Sequence, residues 1–400
     1  MKILLIQPKI NWEHPYVESP SIALLTLGAL AEQSGHQVKV LHLDIDLIDL
    51  AQEIKDYKPD IAGITCNTFQ VKSARATTKT IRETNPDVKI VVGGPHAMVW
   101  DGIADQVVVG EGENKWLEIL GQPPINNIED IPLPAYHLID MRRFSGVAPM
   151  GAVPSMVMFG SRGCPGKCTF CNTPIFWGSK CRYRSAKSIV DQIAYLHKEF
   201  GIQELFLQDD TFNANWAWAK EIFERIIARG LHKSMVFRID CRANEKMLTE
   251  EFLRLASKAG VWNIFLGIES GSQKMLDRMQ KHITVEEYRR ALKLIPQYGM
   301  KVQASFIIGL PGETWETLAE TQRFINETRP WMMGAGYATP FPGTEFDKYV
   351  TEHNQKLPVD YGDYVYGQAI VRTDELSYDD LNSFKGFQNS YTTHIGIEKL

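Results

Sequence analysis

The chain has 400 residues, 44% of them apolar and 23% charged, with a formal net charge of -5, a composition that suits two globular domains or one large domain with an appendage. The mild acidic excess without long charge runs gives no nucleic-acid footprint, and no apolar run approaches the length that spans a bilayer. Six cysteines in so long a chain exclude a disulfide-stapled secreted fold.

Residues 2–6 form a short apolar run ended by Gln7-Pro8, the pattern of a buried parallel strand feeding a loop. The run is too short for a signal peptide, so the cytoplasm is the expected compartment. Residues 21–34 carry Ile22, Leu25, Ala29 and Leu30 at helical spacing, with Ser19 or Ser21 as cap and Gly35 at the end. Strands are predicted at 37–43, 60–65, 88–92 and 106–109, and helices at 47–57, 71–84 and 116–120. Five strands alternating with helices predict an α/β fold, a doubly wound, Rossmann-like parallel sheet over residues 1–122.

Ligands of such sheets bind beyond the carboxyl ends of the strands. Those ends bring Gln7, Pro8, Thr65, Cys66, Asn67, Thr68, Gly93, Gly94, Pro95, His96, Gly110, Glu111 and Gly112 to one edge. Several are small enough to let a large flat ligand reach the backbone, although any one glycine could simply make a tight turn.

Residues 123–151 are proline-rich at their start and weakly periodic, and read as a linker to a second domain beginning near Ala152. The apolar run 156–159 leads directly into a Gly/Pro loop with Cys164, Cys168 and Cys171 at a C-x3-C-x2-C spacing. Three thiolates in one short loop point to an iron–sulfur cluster. With no fourth cysteine close by, one iron would stay open to an exchangeable ligand. Structural zinc with a fourth ligand elsewhere is the rival, and no histidine lies near the loop. Cys66 and Cys241 read as small buried side chains, whereas Cys181 could approach the loop.

Beyond the cysteines, strands are predicted at 204–207, 235–239, 263–267, 301–308 and 332–338. Helices are predicted at 186–200, 215–229, 249–259, 285–298 and 314–328. With the strand before the cysteines these make six strand–helix units, too few to close an eight-stranded barrel, so a partial (β/α)6 barrel is expected over 152–344, followed by an extension over 345–400. Its strand ends are polar at 208–211, 240–244, 269–272 and 309–313, where a site would lie.

The cysteine spacing, Phe170 just before the third cysteine, and Cys181-Arg182-Tyr183-Arg184-Ser185 resemble the radical S-adenosylmethionine (SAM) enzymes. The resemblance implies a 4Fe-4S cluster on Cys164, Cys168 and Cys171, with the methionine part of SAM on the open iron and a 5'-deoxyadenosyl radical as the product of its cleavage. It also implies that Asp209 and Asp210 contact the SAM amino group, Glu269 and Ser270 the ribose, and Phe170 the adenine. Gly93-Gly94-Pro95-His96 and Val109-Gly110-Glu111-Gly112-Glu113 resemble the cobalamin-binding domain of one large branch of that family. The D-x-H-x-x-G signature is absent, so His96 is not taken as an axial ligand of cobalt. A second three-cysteine set is also absent, which argues against the methylthiotransferases.

The family implies methylation of an unactivated sp3 carbon, with one SAM donating methyl through methylcobalamin, a second yielding the radical, and an electron donor such as ferredoxin or flavodoxin. The short extension leaves no room for a large lid, and some relatives methylate residues of methyl-coenzyme M reductase, so a polypeptide side chain is the expected substrate. Tyr361, Tyr364, Tyr366 and Tyr391 would border or pack the open side of the barrel. Cyclisation or rearrangement of a small molecule is the alternative within the branch, and a cobalamin or iron–sulfur sensor the alternative outside enzymes.

Overall fold

The structure is a computed structural model that describes residues 1–10, 19–144, 146, 150–364 and 367–384. Its first layer runs β1 Lys2–Gln7, α1 Ile22–Gln33, β2 Gln37–His42, α2 Leu50–Tyr57, β3 Ile61–Thr65, α3 Val71–Thr84, β4 Lys89–Gly93, β5 Gln106–Val107 and α4 Glu113–Ile119. The strands form one parallel sheet in the order β2-β1-β3-β4-β5. Alternation along β1 explains its unbroken apolar run. Ile3 and Leu5 point into the core under α1 and α4, Leu4 and Ile6 into the core under α2 and α3.

Ends are set by caps. Ser21 accepts from the Leu24 N–H to start α1, and Asp49 accepts from the Gln52 N–H to start α2, three residues later than the apolar pattern suggests. β5 is shorter than expected because, after Val108 N–H donates to Val92 O at 2.8 Å, the chain leaves the sheet at exposed Val109 and turns at Gly110, which has φ +81°.

The segment from 123 to 144 is pinned on both sides. Ala135 N–H donates to Leu25 O at 3.0 Å in the first layer, while Glu129 accepts from the N–H and hydroxyl of Ser185 at 2.6 and 2.7 Å. Tyr136 is buried, and its hydroxyl accepts from Gln192 Nε2 at 2.9 Å.

The second layer runs β6 Ser155–Met158, β7 Ser161–Arg162, α5 Thr173–Trp177, β8 Arg182–Tyr183, α6 Ala186–Phe200, β9 Glu204–Leu207, α7 Trp216–Ala228, β10 Val236–Cys241 and α8 Glu250–Lys258. It continues through β11 Val261–Glu269, α9 Gln273–Arg278, α10 Val285–Leu294, β12 Lys301–Ile308, α11 Trp315–Thr328 and β13 Met332–Tyr337. Six parallel strands in the order β13-β12-β11-β10-β9-β6 make an open half-barrel, as the count of strand–helix units predicts. The antiparallel pair β7 and β8, which brackets the cysteine loop, was not legible in the sequence, nor was α9. α10 tightens into a 3-10 turn at Ile295–Tyr298, where Pro296 removes a donor that an α-helix would need.

After β13, α12 Glu345–Glu352 and α13 Tyr378–Ser383 lead the chain back across both layers. Asp360 pairs with Arg75 at 2.6 Å, and Tyr364 packs with Phe69 and Ile370. Tyr361 and Tyr364 therefore face inward; Val365, Tyr366 and Tyr391 lie outside the described residues. Among the described residues no helix is long and apolar enough to cross a membrane.

Tyr136→Phe should leave the buried Gln192 amide without its acceptor and cost about 1–3 kcal/mol. Urea unfolding of the two proteins checks this, and equal stability would contradict the anchoring of the linker.

Candidate active site

The cysteine loop is held at several points. Gly163 adopts φ +92°, and a Cβ there would sit 2.7 Å from Lys180 O. Thr169 donates its N–H to Met279 O at 3.1 Å and accepts from the Phe346 N–H at 3.0 Å. All three cysteines are free thiols. Cys164 Sγ accepts from the Gly166 N–H at 3.3 Å and lies 3.2 Å from the Thr211 hydroxyl. The Cys171 thiol is pushed up by burial and by the neighbouring Cys168 and Cys164, and drawn down by Thr173. Among the described residues no three His, Cys, Asp or Glu side chains converge as around a single metal ion, whereas thiols at the corners of a multi-iron cluster need not meet at one point. Sulfurs receiving N–H and O–H donors suit thiolate ligands of such a cluster.

The acids expected to meet SAM divide into two groups. Asp209 is fully buried and ties the ends of β6 and β9, its Oδ1 accepting from Ser161 Oγ at 2.5 Å and Gly160 N at 3.0 Å. Its Oδ2 has no partner. Asp210 accepts from Thr173 Oγ1 at 3.0 Å and faces the large cavity described below. Glu269 sits in the left-handed region at φ +67°, with Oε1 2.9 Å from Lys281 Nζ and Oε2 accepting from Ser305 Oγ at 3.2 Å. Lys281 also lies 5.7 Å from the Phe170 ring, so Phe170 and Glu269 share one corner. Ser270 is spent internally, accepting from the Ser272 N–H at 3.1 Å and lying 3.0 Å from Thr321 Oγ1.

Lys281 was not singled out from sequence, because nothing in Gln280-Lys281-His282 marks two left-handed residues, φ +54° and +53°, that turn it inward. Cys181 Sγ donates to Gly163 O at 3.4 Å. Cys66 and Cys241 are buried, as their strand-end positions suggest.

A cavity of about 330 Å³ lies where the carboxyl ends of β3, β4 and β5 face those of β6 and β9. Thr65, Gly93, Gly94, Pro95, Gly110 and Gly112 line one side; Phe159, Gly160, Ser161, Gln208 and Asp210 line the other. Gly94 has φ +98°, and a Cβ there would sit 2.7 Å from Cys66 O, so the backbone forms the wall. Arg184 Nε in the lining is a buried donor without a partner, suited to a ligand amide oxygen. An apolar slot with a glycine wall and such donors fits a corrin.

The remaining rim residues lie outside that lining. Gln7 and Pro8 are engaged through their carbonyls, with Leu43 N–H at 3.0 Å and Gln70 Nε2 at 2.9 Å. Cys66 is buried, which pushes its thiol up to about 12. Asn67 caps the turn that follows β3. Thr68 opens on a small crevice beside the cavity and lies 3.2 Å from His96 Nδ1. His96 is fully buried, edge-on to Tyr361 at 4.9 Å, and burial pushes its imidazole down to about 4, so it is neutral near pH 7. Glu111 turns from the cavity to Arg162 and Arg182.

Residues 158–325 match the model of the Radical SAM superfamily, and residues 8–120 that of the B12 binding domain. An uncharacterized methyltransferase of Pyrococcus horikoshii is 30% identical over 96% of this chain and 90% of its own. The anaerobic magnesium-protoporphyrin IX monomethyl ester cyclase of Rubrivivax gelatinosus is 28% identical over 95% of this chain and 75% of its own. The solved structure of the radical SAM methyltransferase TsrM from Kitasatospora setae, with cobalamin and a [4Fe-4S] cluster bound, superposes with a TM-score of 0.71 at 21% identity, covering 96% of this chain and 85% of that one.

Cluster loop, half-barrel and corrin-sized slot thus define an enzyme that joins radical SAM and cobalamin chemistry. The chain belongs to the cobalamin-dependent radical SAM methyltransferase family, with a 4Fe-4S cluster, SAM and cobalamin as its cofactors. That sets aside the reading as a sensor.

Burial raises the Asp209 carboxyl to about 6, against the opposing pull of Ser161 and Gly160. Because the folded value exceeds the unfolded one, its contribution to stability is full below about pH 4 and lost as pH rises through about 6. Asp209→Asn should therefore flatten the pH dependence of unfolding across that window. A constant difference between the two proteins in urea unfolding at stepped pH would contradict the shift.

Proposed function

We propose that the enzyme methylates an unactivated sp3 carbon, and the shared cavity carries this reading. The loop with Cys164, Cys168 and Cys171 follows directly on the end of β6, and Gly160, Ser161, Gln208 and Asp210 at the ends of β6 and β9 also wall the cavity suited to cobalamin. When bound, cobalamin supplies methyl-transfer chemistry, and the cluster with SAM supplies a radical able to remove hydrogen from carbon.

The chain's own residues bind and shield. Cys164, Cys168 and Cys171 hold the cluster. Asp210 in the cavity lining, and Asp209 with its unpartnered Oδ2, are the proposed acceptors for the SAM ammonium, and either is favoured in its ionised form by that cation. Glu269, fixed by Lys281 and Ser305, is the proposed acceptor for ribose hydroxyls, and Phe170 the proposed packing partner of the adenine. Phe159, Phe176, Trp177 and Pro132 keep the cavity wall apolar, which favours exclusion of water from a reactive carbon radical. Gly93, Gly94 and Gly110 let the corrin lie against backbone.

The substrate is proposed to be a peptide or protein side chain, a residue of methyl-coenzyme M reductase among the candidates, with ferredoxin or flavodoxin as electron donor. The described part of the C-terminal segment packs against both layers and adds no separate lid. Asp240 on the inner face of β10 keeps Oδ1 unpartnered, a place for a substrate N–H. The 28% identity to a protein named a cyclase supports a second reading, in which a small molecule is cyclised.

Turnover should release both S-adenosylhomocysteine and 5'-deoxyadenosine, with a methyl mass shift on the substrate; deoxyadenosine alone would rule out methyl transfer and favour the second reading. Cys168→Ala should lose deoxyadenosine formation yet retain the absorbance of bound cobalamin.

A further inference from the structure

Four side chains beside the cysteine loop and the cavity rim meet in one network. Leaving β5, the chain turns at Gly110 and presents Glu111 and Glu113 to the second layer. Arg162 Nη1 donates to Glu111 Oε2 at 2.6 Å and to Glu113 Oε2 at 3.1 Å, and its Nη2 pairs with Glu113 Oε1. Arg182 donates to both oxygens of Glu111, through Nη1 at 3.2 Å and through Nη2. The Arg162 guanidinium lies 4.7 Å from the Trp177 ring, and Arg182 Nη2 also donates to Trp177 O at 3.1 Å.

The network is partly shielded. The Arg162 and Glu113 side chains are 15% and 12% exposed, those of Glu111 and Arg182 29% and 35%, so removing one partner would leave a partly buried charge uncompensated. Planar guanidinium forks on carboxylates also fix direction as well as distance, unlike a flexible lysine pair.

The placement matters more than the strength. Arg162 and Arg182 pair with each other across β7 and β8, the antiparallel ladder at the base of the cysteine loop, and Arg162 stands two residues before Cys164. Glu111 stands between Gly110 and Gly112, both in the cavity lining. One carboxylate thus ties the root of the cluster loop to the rim of the cobalamin slot.

We propose that Glu111, gripped by Arg162 and Arg182, is a positioning residue that sets the separation and orientation of the cluster relative to cobalt, and that it does not bind cobalamin itself. The inference rests on the presence of both cofactors and holds whichever substrate accepts the methyl group. Radical formation at the half-barrel mouth and methyl delivery from the slot must reach the same carbon, and a misplacement of about 1 Å can cost about a hundredfold in rate.

The test uses holoenzyme reconstituted with iron, sulfide and hydroxocobalamin, then reduced with dithionite. Pulsed EPR reads the dipolar coupling between cob(II)alamin and the reduced cluster. Glu111→Gln should keep cobalamin occupancy and reductive cleavage of SAM, while the coupling shifts and broadens. Arg182→Gln should move it the same way. Unchanged coupling in both variants overturns the proposal, even if the melting temperature falls, since that result marks a merely structural contact. Lost cobalamin occupancy with unchanged coupling in the loaded fraction also overturns it, by returning Glu111 to the binding residues. If Glu111→Gln does not fold, Arg182→Gln decides by the same criteria.

Discussion

Everything in this molecule follows from two parallel sheets meeting at their carboxyl ends. A parallel sheet has its faces covered by helices, so the edge where strands give way to loops is where a ligand can reach the backbone. Here one such edge, at β3 to β5, faces another, at β6 and β9, across a single cavity. The arrangement lets one ligand touch both sheet edges without a further domain between them.

Holding two edges together over a cavity requires contacts around it rather than through it. The linker supplies some at Tyr136 and Glu129, the C-terminal segment supplies others at Asp360 and Tyr361, and the arginine–glutamate network closes the side nearest the cysteines. Shielded polar groups also lie at strand ends, at β9 and at β12. Asp209 and Glu313 are buried acids raised to about 6 and about 8, each held by backbone N–H groups at a strand end. Such groups cost stability unless partnered, and buried acids with raised values gather at functional sites more often than elsewhere.

Much of the architecture is legible in the sequence because local signals and burial agree. α3, α6, β9 and β12 run over the residues that periodicity and flanking Gly, Ser or Asn suggest. The three-cysteine loop is legible for a different reason, since its spacing is local. What escapes is decided by distant partners. β7 and β8 have two residues each and pair across the whole cysteine loop, too short for any periodic pattern. Glu111 sits in a glycine-rich turn that any reader of strand ends would assign to the ligand, yet two arginines more than fifty residues away draw its carboxylate elsewhere. His96 likewise has the right type at the right edge, and burial against Tyr361 and Thr68 takes it out of the cavity lining.

The central claim is that the corrin lies in the cavity between the two sheet edges, beside the cysteine loop that holds the cluster, and an anaerobic crystal structure of the protein reconstituted with cluster, hydroxocobalamin and SAM tests it most directly. The corrin is predicted against Gly93, Gly94 and Gly110, with the cluster on Cys164, Cys168 and Cys171. A corrin on another face of the first sheet, or Cys181 in place of one of the three cysteines, would contradict it.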